Sequence, residues 1–169
     1  LEMVFDRLEK AGLKLKPNKC KFLQRKVGFL GHIISEEGIA TDPAKTEAIA
    51  HWPTPRNVHE VRGFLGLCSY YRRFVDHYAK KSAPLTSVLG KNVRFRWTDE
   101  AKDAFDELRG ALTSPPVLAM PREPPEEPDG REGMYILDTD ASDVSVGCVL
   151  SQVQDGVERV IAYAARVLQ

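Results

Sequence analysis

Apolar residues recur every three or four positions in four segments of the chain. This spacing predicts helices, because it places the apolar side chains on one face that can pack against a core. A shorter segment, residues 79–90, contains Pro84 and is predicted as a short helix followed by a loop. The four longer helices are predicted at residues 1–12, 43 to about 52, 58 to about 78 and 99 to about 112.

The residues that precede three of these helices are typical helix caps. Asp42, Asn57 and Thr98 each stand directly before a helical segment and can accept hydrogen bonds from the N–H groups of its first turn. Glu60 lies three residues after Asn57, in the position that completes a capping box. The starts of these helices are therefore predicted from capping chemistry as well as from periodicity.

Runs of β-branched and aromatic residues predict strands between the helices. Residues 27–35 are predicted as one strand, residues 36–38 as a tight turn and residues 39–41 as the return strand of a hairpin. Phe95 and Trp97 are predicted as a short strand or as an apolar anchor. Both helices and strands are predicted, and the predicted fold class is α+β.

The last third of the chain is predicted to be mostly β. Residues 121–133 contain four prolines, two glycines and five acidic residues, which predicts an exposed acidic loop. Asp155 and Gly156 form a typical hairpin turn. The strands are predicted at residues 117–120, 134–141, 144–153 and 157–164.

Charge is distributed unevenly along the 169 residues, although the formal net charge is zero. Residues 1–110 contain 20 Lys and Arg against 14 Asp and Glu, whereas residues 111–169 contain four Arg against ten Asp and Glu. A basic part joined to an acidic part is typical of a protein that holds a polyanion with one part and cations with the other. Ordinary solvated surface remains an alternative explanation.

Other classes of protein are disfavoured by the sequence. No apolar run approaches the roughly 20 residues that span a bilayer, so no membrane partner is expected. The three cysteines contain no CxxC pair and the four histidines no HxxxH pair, so we expect a reducing compartment and no zinc site. The predicted location is intracellular, in the cytoplasm or the nucleus.

The predicted strand at residues 134–141 delivers acidic side chains at its end. Asp138 and Asp140 are two positions apart and therefore point to the same face of the strand. Paired carboxylates at a strand end can bind a hard divalent cation such as Mg²⁺. The alternative is an acidic turn that continues to Asp143, since Asp is a common turn residue. Spacing alone leaves both interpretations open.

Seven short motifs follow one another along the chain: LKLKPNKCKF at 13–22, FLGHIIS at 29–35, GFLGLCSYYRRF at 63–74, FRWT at 95–98, AFDEL at 104–108, LTSPPVL at 112–118 and TDAS at 139–142. In this order they resemble the Pol polyprotein of gypsy-type LTR retrotransposons. The resemblance covers essentially the whole chain and is specific because of the order of the motifs. It implies that the parent protein is a reverse transcriptase with a ribonuclease H (RNase H) domain.

The resemblance implies four regions in this chain. Residues 1–41 are similar to the end of the reverse transcriptase palm with a primer-grip-like hairpin, and residues 42–94 to the helical thumb. Residues 95–133 are similar to a connector, although the acidic loop within it is longer than is usual for the family. Residues 134–169 are similar to the N-terminal part of an RNase H-like domain, truncated after three antiparallel strands.

The resemblance also implies a nucleic-acid interface for an RNA–DNA hybrid or a DNA duplex. On a thumb-like helix, Gly66 would allow the duplex to approach the backbone, whereas tight helix–helix packing is the alternative explanation for Gly63 and Gly66. The implied contact residues are Phe29, Leu30, Gly31, His32, Arg62, Gly66, Tyr70, Arg72 and Arg73.

Asp140 in the TDAS motif corresponds to the first metal-binding carboxylate of the RNase H site in this family. The resemblance implies that Asp140 is a catalytic residue that binds Mg²⁺, and that Asp138 and Asp143 are turn or outer residues. A site for two Mg²⁺ ions requires several carboxylates, and a single Asp cannot neutralise two dications.

The chain is expected to be a fragment that works with the rest of the Pol polyprotein. The polymerase Tyr-x-Asp-Asp motif is expected before residue 1, and the other RNase H carboxylates are expected after residue 169. Whether the chain is an enzyme is left open, and neither activity is expected from it alone. The alternative function is a non-catalytic nucleic-acid-binding module, derived from a domesticated or decayed retroelement.

Overall fold

The described residues, 1–90, 94–127 and 129–168 of a computed structural model, form five helices and two three-stranded antiparallel sheets. The α+β fold class is therefore confirmed. Residues 91–93 of the predicted thumb, residue 128 of the acidic loop and residue 169 lie outside the described residues. The helices are α1 Glu2–Lys10, α2 Pro43–Ala50, α3 Val58–Tyr70, α4 Tyr78–Ser87 and α5 Asp99–Thr113. The strands are β1 Lys26–Phe29, β2 His32–Ser35, β3 Gly38–Thr41, β4 Tyr135–Ala141, β5 Ser145–Gln154 and β6 Val157–Val167.

All three predicted helix caps are confirmed. The Asp42 side chain accepts a hydrogen bond from the N–H of Ala44 at 3.0 Å. Asn57 accepts from the N–H of Glu60 at 2.9 Å. The Thr98 hydroxyl accepts from the third residue of its helix at 3.2 Å. Each cap satisfies a donor that the helix itself leaves unpaired.

The prediction of a single strand at residues 27–35 was wrong, because this segment is a hairpin of β1 and β2. Phe29 pairs with His32 across a two-residue turn. The turn residues Leu30 and Gly31 have φ angles of 45° and 71°, the left-handed region that primed hairpin turns require. Apolar Leu30 conceals this turn in the sequence, because hydropathy alone cannot distinguish it from strand.

The helix predicted from residue 58 to about residue 78 was also wrong in length. α3 ends at Tyr70, a 3₁₀ turn covers Arg72–Phe74, and α4 starts after His77. The apolar spacing continues across this break because Tyr71 and Val75 are buried in the same core as α3. The apolar spacing therefore predicts which side chains are buried here, but it does not predict that the helix is interrupted.

The predicted strand at residues 117–120 is only an isolated bridge, and it links the two sheets. Leu118 exchanges backbone hydrogen bonds of 2.7 and 2.9 Å with Ile39 of β3. The next residue, Ala119, donates to the carbonyl of Val160 in β6 at 2.8 Å. Phe95 and Trp97 form no strand in the described residues and instead pack as apolar anchors against the core.

The core lies between α3, α4, α5 and one face of the second sheet. Phe64 of α3 and Phe105 of α5 meet at its centre, with ring centroids 4.5 Å apart. Tyr163 and Ala165 of β6 pack against this cluster. The strands predicted at 134–141, 144–153 and 157–164 are confirmed as β4, β5 and β6 within a few residues of their predicted ends. In the described part of the chain no helix is long and apolar enough to span a bilayer.

Burial should make the three free thiols differ in reactivity. Cys68 is fully buried, and desolvation raises the pKa of its thiol to about 12, whereas Cys20 and Cys148 are partly exposed. Because only the thiolate reacts, a thiol reagent at pH 8 should modify Cys20 and Cys148 in the native protein and Cys68 only in urea. Mass spectrometry after alkylation measures this, and rapid native labelling of Cys68 would contradict the buried position.

Candidate nucleic-acid interface and carboxylate site

The tip of the β1–β2 hairpin exposes large apolar side chains. Phe29 is 59% exposed and Leu30 is 72% exposed. Phe29 directly precedes the two-residue turn, and Leu30 is the first residue of the turn. Adjacent exposed apolar residues of this size commonly mark a binding surface.

The hairpin tip is attached to the C-terminal end of α3. The Tyr70 hydroxyl donates to the carbonyl of Leu30, and the Tyr71 hydroxyl donates to the carbonyl of Gly31 at 2.7 Å. His32 stacks on the ring of Phe74 with centroids 5.6 Å apart. The structure therefore brings the two predicted parts of the interface, the hairpin and the thumb-like helix, into direct contact.

The outer face of α3 carries Arg62, Gly66 and Tyr70 at intervals of one helical turn, and all three are exposed. A Cβ added at Gly66 would meet nothing within 4 Å. A Cβ added at Gly63 would lie at an ordinary contact distance, 3.6 Å from Trp52. Tight helix–helix packing therefore does not explain either glycine, and the surface around Gly66 is open.

The other predicted contact residues differ in accessibility. Arg72 is exposed on the 3₁₀ turn. Arg73 is half-buried, with its guanidinium carbon 6.0 Å from the Phe74 ring centroid. His32 is also half-buried, so its ring faces the aromatic cluster instead of solvent. The exposed part of the predicted interface therefore consists of Phe29, Leu30, Arg62, Gly66, Tyr70 and Arg72.

Asp140 lies near the end of β4, opposite Gly147 of β5, with its side chain 72% exposed. Its Oδ2 accepts a hydrogen bond from Nε2 of His77 at 3.2 Å. The other ring nitrogen of His77, Nδ1, lies 2.8 Å from Oδ1 of Asp76. The hydrogen bond to Asp76, followed by that to Asp140, raises the pKa of His77. One imidazole thus joins the segment before α4 to the strand that carries Asp140.

Sequence reasoning missed His77, Asp76 and Tyr71 as residues near the candidate sites. His77 and Asp140 are 63 positions apart, and no local motif links them. The one signal was the Tyr70–Tyr71 pair within a motif, and only the first of the two was assigned to the interface. The contact of Tyr71 with the hairpin is tertiary, and hydropathy assigns this residue only to the core.

The carboxylates of the described residues are candidate ligands for Mg²⁺. Asp140 fits the role of one ligand, because it is an exposed carboxylate at a strand end. Within residues 1–90, 94–127 and 129–168, no group of three or more His, Cys, Asp or Glu is arranged to hold a metal ion. Among the described residues, Asp140 is therefore a candidate for one ligand, and the further carboxylates that a magnesium site needs are not grouped around it.

Comparisons with known proteins agree with this architecture. Residues 97–169 match the family model described as the RNase H-like domain found in reverse transcriptase. The chain is 37% identical over 166 residues to the retrovirus-related Pol polyprotein from transposon 412 of Drosophila melanogaster, an alignment that covers 98% of the chain. The chain belongs to the Pol polyproteins of retrotransposons. This Pol chain spans only 13% of the length of the Drosophila polyprotein.

The Pol chain is similar to two further proteins. It is 50% identical over 123 residues to an uncharacterized mitochondrial protein of Arabidopsis thaliana, covering 72% of the chain and 77% of that protein. A structure of the foamy viral protease-reverse transcriptase in complex with RNA/DNA hybrid matches 99% of the chain, with a TM-score of 0.76 and 26% identity. The Pol chain covers 22% of that foamy viral chain.

Proposed function

We propose that this chain is the part of a retrotransposon reverse transcriptase/RNase H that holds the template–primer duplex and contributes the first metal-binding carboxylate of the RNase H site. The observation that carries the proposal is the contact between the exposed hairpin tip and the exposed face of α3, which join in one surface. The foamy viral enzyme, which has a similar fold, was solved with an RNA/DNA hybrid. The proposed regions remain 1–41 for the palm end, 42–94 for the thumb, 95–133 for the connector and 134–169 for the RNase H-like part.

The exposed residues suit backbone recognition of a duplex. Arg62 and Arg72 carry positive charge for phosphate oxygens, and Gly66 leaves room for a sugar–phosphate strand near the helix backbone. Phe29 and Leu30 offer apolar surface for sugars or for an exposed base at the end of a strand. Contacts of this type position a duplex without selecting its sequence. Such contacts suit a protein that copies templates of any sequence.

In the complete protein, Asp140 would hold Mg²⁺ together with carboxylates from beyond this chain. Bound Mg²⁺ would supply activation of water and stabilisation of charge on the RNA strand. The residues of this chain would contribute the ligand and its orientation, because Nε2 of His77 is hydrogen-bonded to Oδ2 of Asp140 while the Asp140 side chain stays largely exposed. In this proposal the chain also works with the rest of the Pol polyprotein. The proposed location is the cytoplasm or the nucleus.

Duplex binding by the purified chain should depend strongly on salt. Fluorescence anisotropy with a labelled RNA–DNA hybrid should give an affinity that falls roughly tenfold between 50 and 200 mM salt if about two phosphates are neutralised. The DNA duplex of the same sequence should behave similarly, since the contacts are to the backbone. An affinity that is unchanged over this range would contradict the electrostatic part of the proposal.

The isolated chain should not cleave RNA in the hybrid when Mg²⁺ is added, because one carboxylate cannot hold two dications. Gel analysis of an end-labelled RNA strand measures this. The Asp140→Asn variant serves as the control for contaminating nucleases, which it would leave unaffected. Robust cleavage by the wild-type chain that disappears in Asp140→Asn would show that its site is complete.

A second candidate function is a non-catalytic nucleic-acid-binding module, from a domesticated or decayed retroelement. The Arabidopsis relative favours it, because an alignment of 123 residues already covers 77% of that protein, whereas 166 residues cover only 13% of the Drosophila polyprotein. A protein as short as the Arabidopsis relative is not a whole Pol polyprotein. The two candidates differ in the reading frame around the chain. A Tyr-x-Asp-Asp motif upstream of residue 1 and further carboxylates downstream of residue 169 would support the enzyme. Natural chain ends near these positions would support the module.

A further inference from the structure

Four hydrogen bonds converge on two adjacent carbonyl groups at the hairpin turn. The carbonyl of Leu30 accepts from the Tyr70 hydroxyl and lies 2.9 Å from Nδ1 of His32. The carbonyl of Gly31 accepts from the Tyr71 hydroxyl at 2.7 Å and from the N–H of Asp42 at 3.1 Å. The turn is therefore held from two directions, by the C-terminal end of α3 and by the start of α2.

The two tyrosines enclose the turn closely. A Cβ added at Gly31 would lie 3.3 Å from the Tyr70 ring and 3.3 Å from the Tyr71 hydroxyl oxygen, which is tighter than ordinary contact. Tyr71 is fully buried, and burial raises the pKa of its phenol, so its hydroxyl keeps the proton that it donates to Gly31. The side chain of Tyr71 thus reaches the turn from the core and leaves no ring surface for a ligand.

We propose that Tyr71, acting with Tyr70, is a positioning residue that fixes the hairpin tip relative to the outer face of α3, so that Phe29, Leu30 and Arg62 meet the nucleic acid as one rigid surface. This inference rests on the proposed duplex-binding function. Tyr71 itself does not touch the ligand. It acts through the carbonyl of Gly31 and so through the orientation of the turn.

The energetic reason is preorganisation. A two-residue turn with exposed apolar side chains would otherwise lose conformational freedom when the duplex binds, and this loss weakens affinity. Hydrogen bonds made before binding fix the turn in the folded protein instead. Removing one of them should therefore weaken binding without changing the number of phosphate contacts, which the salt dependence measures.

The test compares Tyr71→Phe with Tyr78→Phe in the full chain. Tyr78 is nearly as buried, and its hydroxyl is bonded within α3, to the Ser69 hydroxyl at 2.9 Å and to the carbonyl of Leu65 at 3.5 Å, so this variant is a matched loss of one buried hydroxyl. We expect Tyr71→Phe to bind the labelled RNA–DNA hybrid roughly threefold to tenfold more weakly, the range expected for one hydrogen bond. Its salt slope should be unchanged, and NMR relaxation should show greater motion at Leu30 and Gly31. Tyr78→Phe should show neither effect.

Equal affinity and equal tip mobility in Tyr71→Phe and Tyr78→Phe would overturn the inference. If the wild-type chain fails to bind the hybrid, the proposed function fails, and the positioning role of Tyr71 is then tested by NMR relaxation alone. In that case greater mobility of Leu30 and Gly31 only in Tyr71→Phe supports this role, and unchanged mobility refutes it. A weaker affinity accompanied by a smaller salt slope would also refute it, because Tyr71 would then affect a phosphate contact.

Discussion

Replacing Gly38 by alanine should destabilise the protein by about 3 kcal/mol or more, because strain and overpacking act together at this position. Gly38 has a φ of 134°, a conformation that L residues rarely adopt. An added Cβ would overlap the carbonyl oxygen of Leu118 and lie 3.0 Å from its carbon. Both obstacles are backbone, so no side-chain rotation can relieve them. The expected result is a lower midpoint in urea denaturation followed by circular dichroism.

The site of this clash explains why the effect should be global. Gly38 precedes Ile39, whose backbone pairs with fully buried Leu118 in the bridge between the first sheet and the segment leading to the second. Displacing Leu118 would also disturb the neighbouring bond from Ala119 to β6. Gly110→Ala is the matched control, since a Cβ there meets nothing within 4 Å and α5 should gain up to about 1 kcal/mol. Equal stability of the Gly38 and Gly110 variants would contradict the described packing.

Capping residues and strand periodicity predicted much of this fold because they act over a few neighbouring residues. Asp42, Asn57 and Thr98 marked the starts of α2, α3 and α5, and each cap forms as expected. The ends of elements were predicted less well. The break after Tyr70 is concealed because Tyr71 and Phe74 stay buried in the same core, and the turn at Leu30 is concealed because this exposed residue is apolar.

Only those residues of the candidate sites that lie within recognisable motifs could be proposed from the sequence. The TDAS motif identified Asp140, but not His77, which reaches it from 63 positions away. The resemblance implied that Tyr70 contacts the duplex, and the structure adds that its hydroxyl is bonded to the carbonyl of Leu30. Such contacts depend on how α3, α4 and the sheets pack together, and no periodicity of 2 or 3.6 residues encodes that packing.

Replacing Gly66 by glutamate should weaken binding of an RNA–DNA hybrid by about tenfold to a hundredfold, while the fold stays intact. Gly66 lies between Arg62 and Tyr70 on the exposed face of α3, where the surface is open to solvent. A glutamate would occupy the space left for a sugar–phosphate strand and would place negative charge beside phosphates, which is costly at an interface. Glutamate also forms helix more readily than glycine, so stability should not fall. Fluorescence anisotropy at 50 mM salt measures the loss.

Gly110→Glu separates this local effect from the change in net charge. Gly110 is likewise an exposed residue in the C-terminal half of its helix, and a Cβ there meets nothing within 4 Å, so both variants add the same side chain to a similar position. Only the variant on α3 should lose affinity, because long-range repulsion between exposed charges is largely screened at distances beyond a Debye length. If both variants lose affinity equally, binding depends on net charge, and the duplex does not contact the face of α3. If neither loses affinity, the duplex lies elsewhere on the protein.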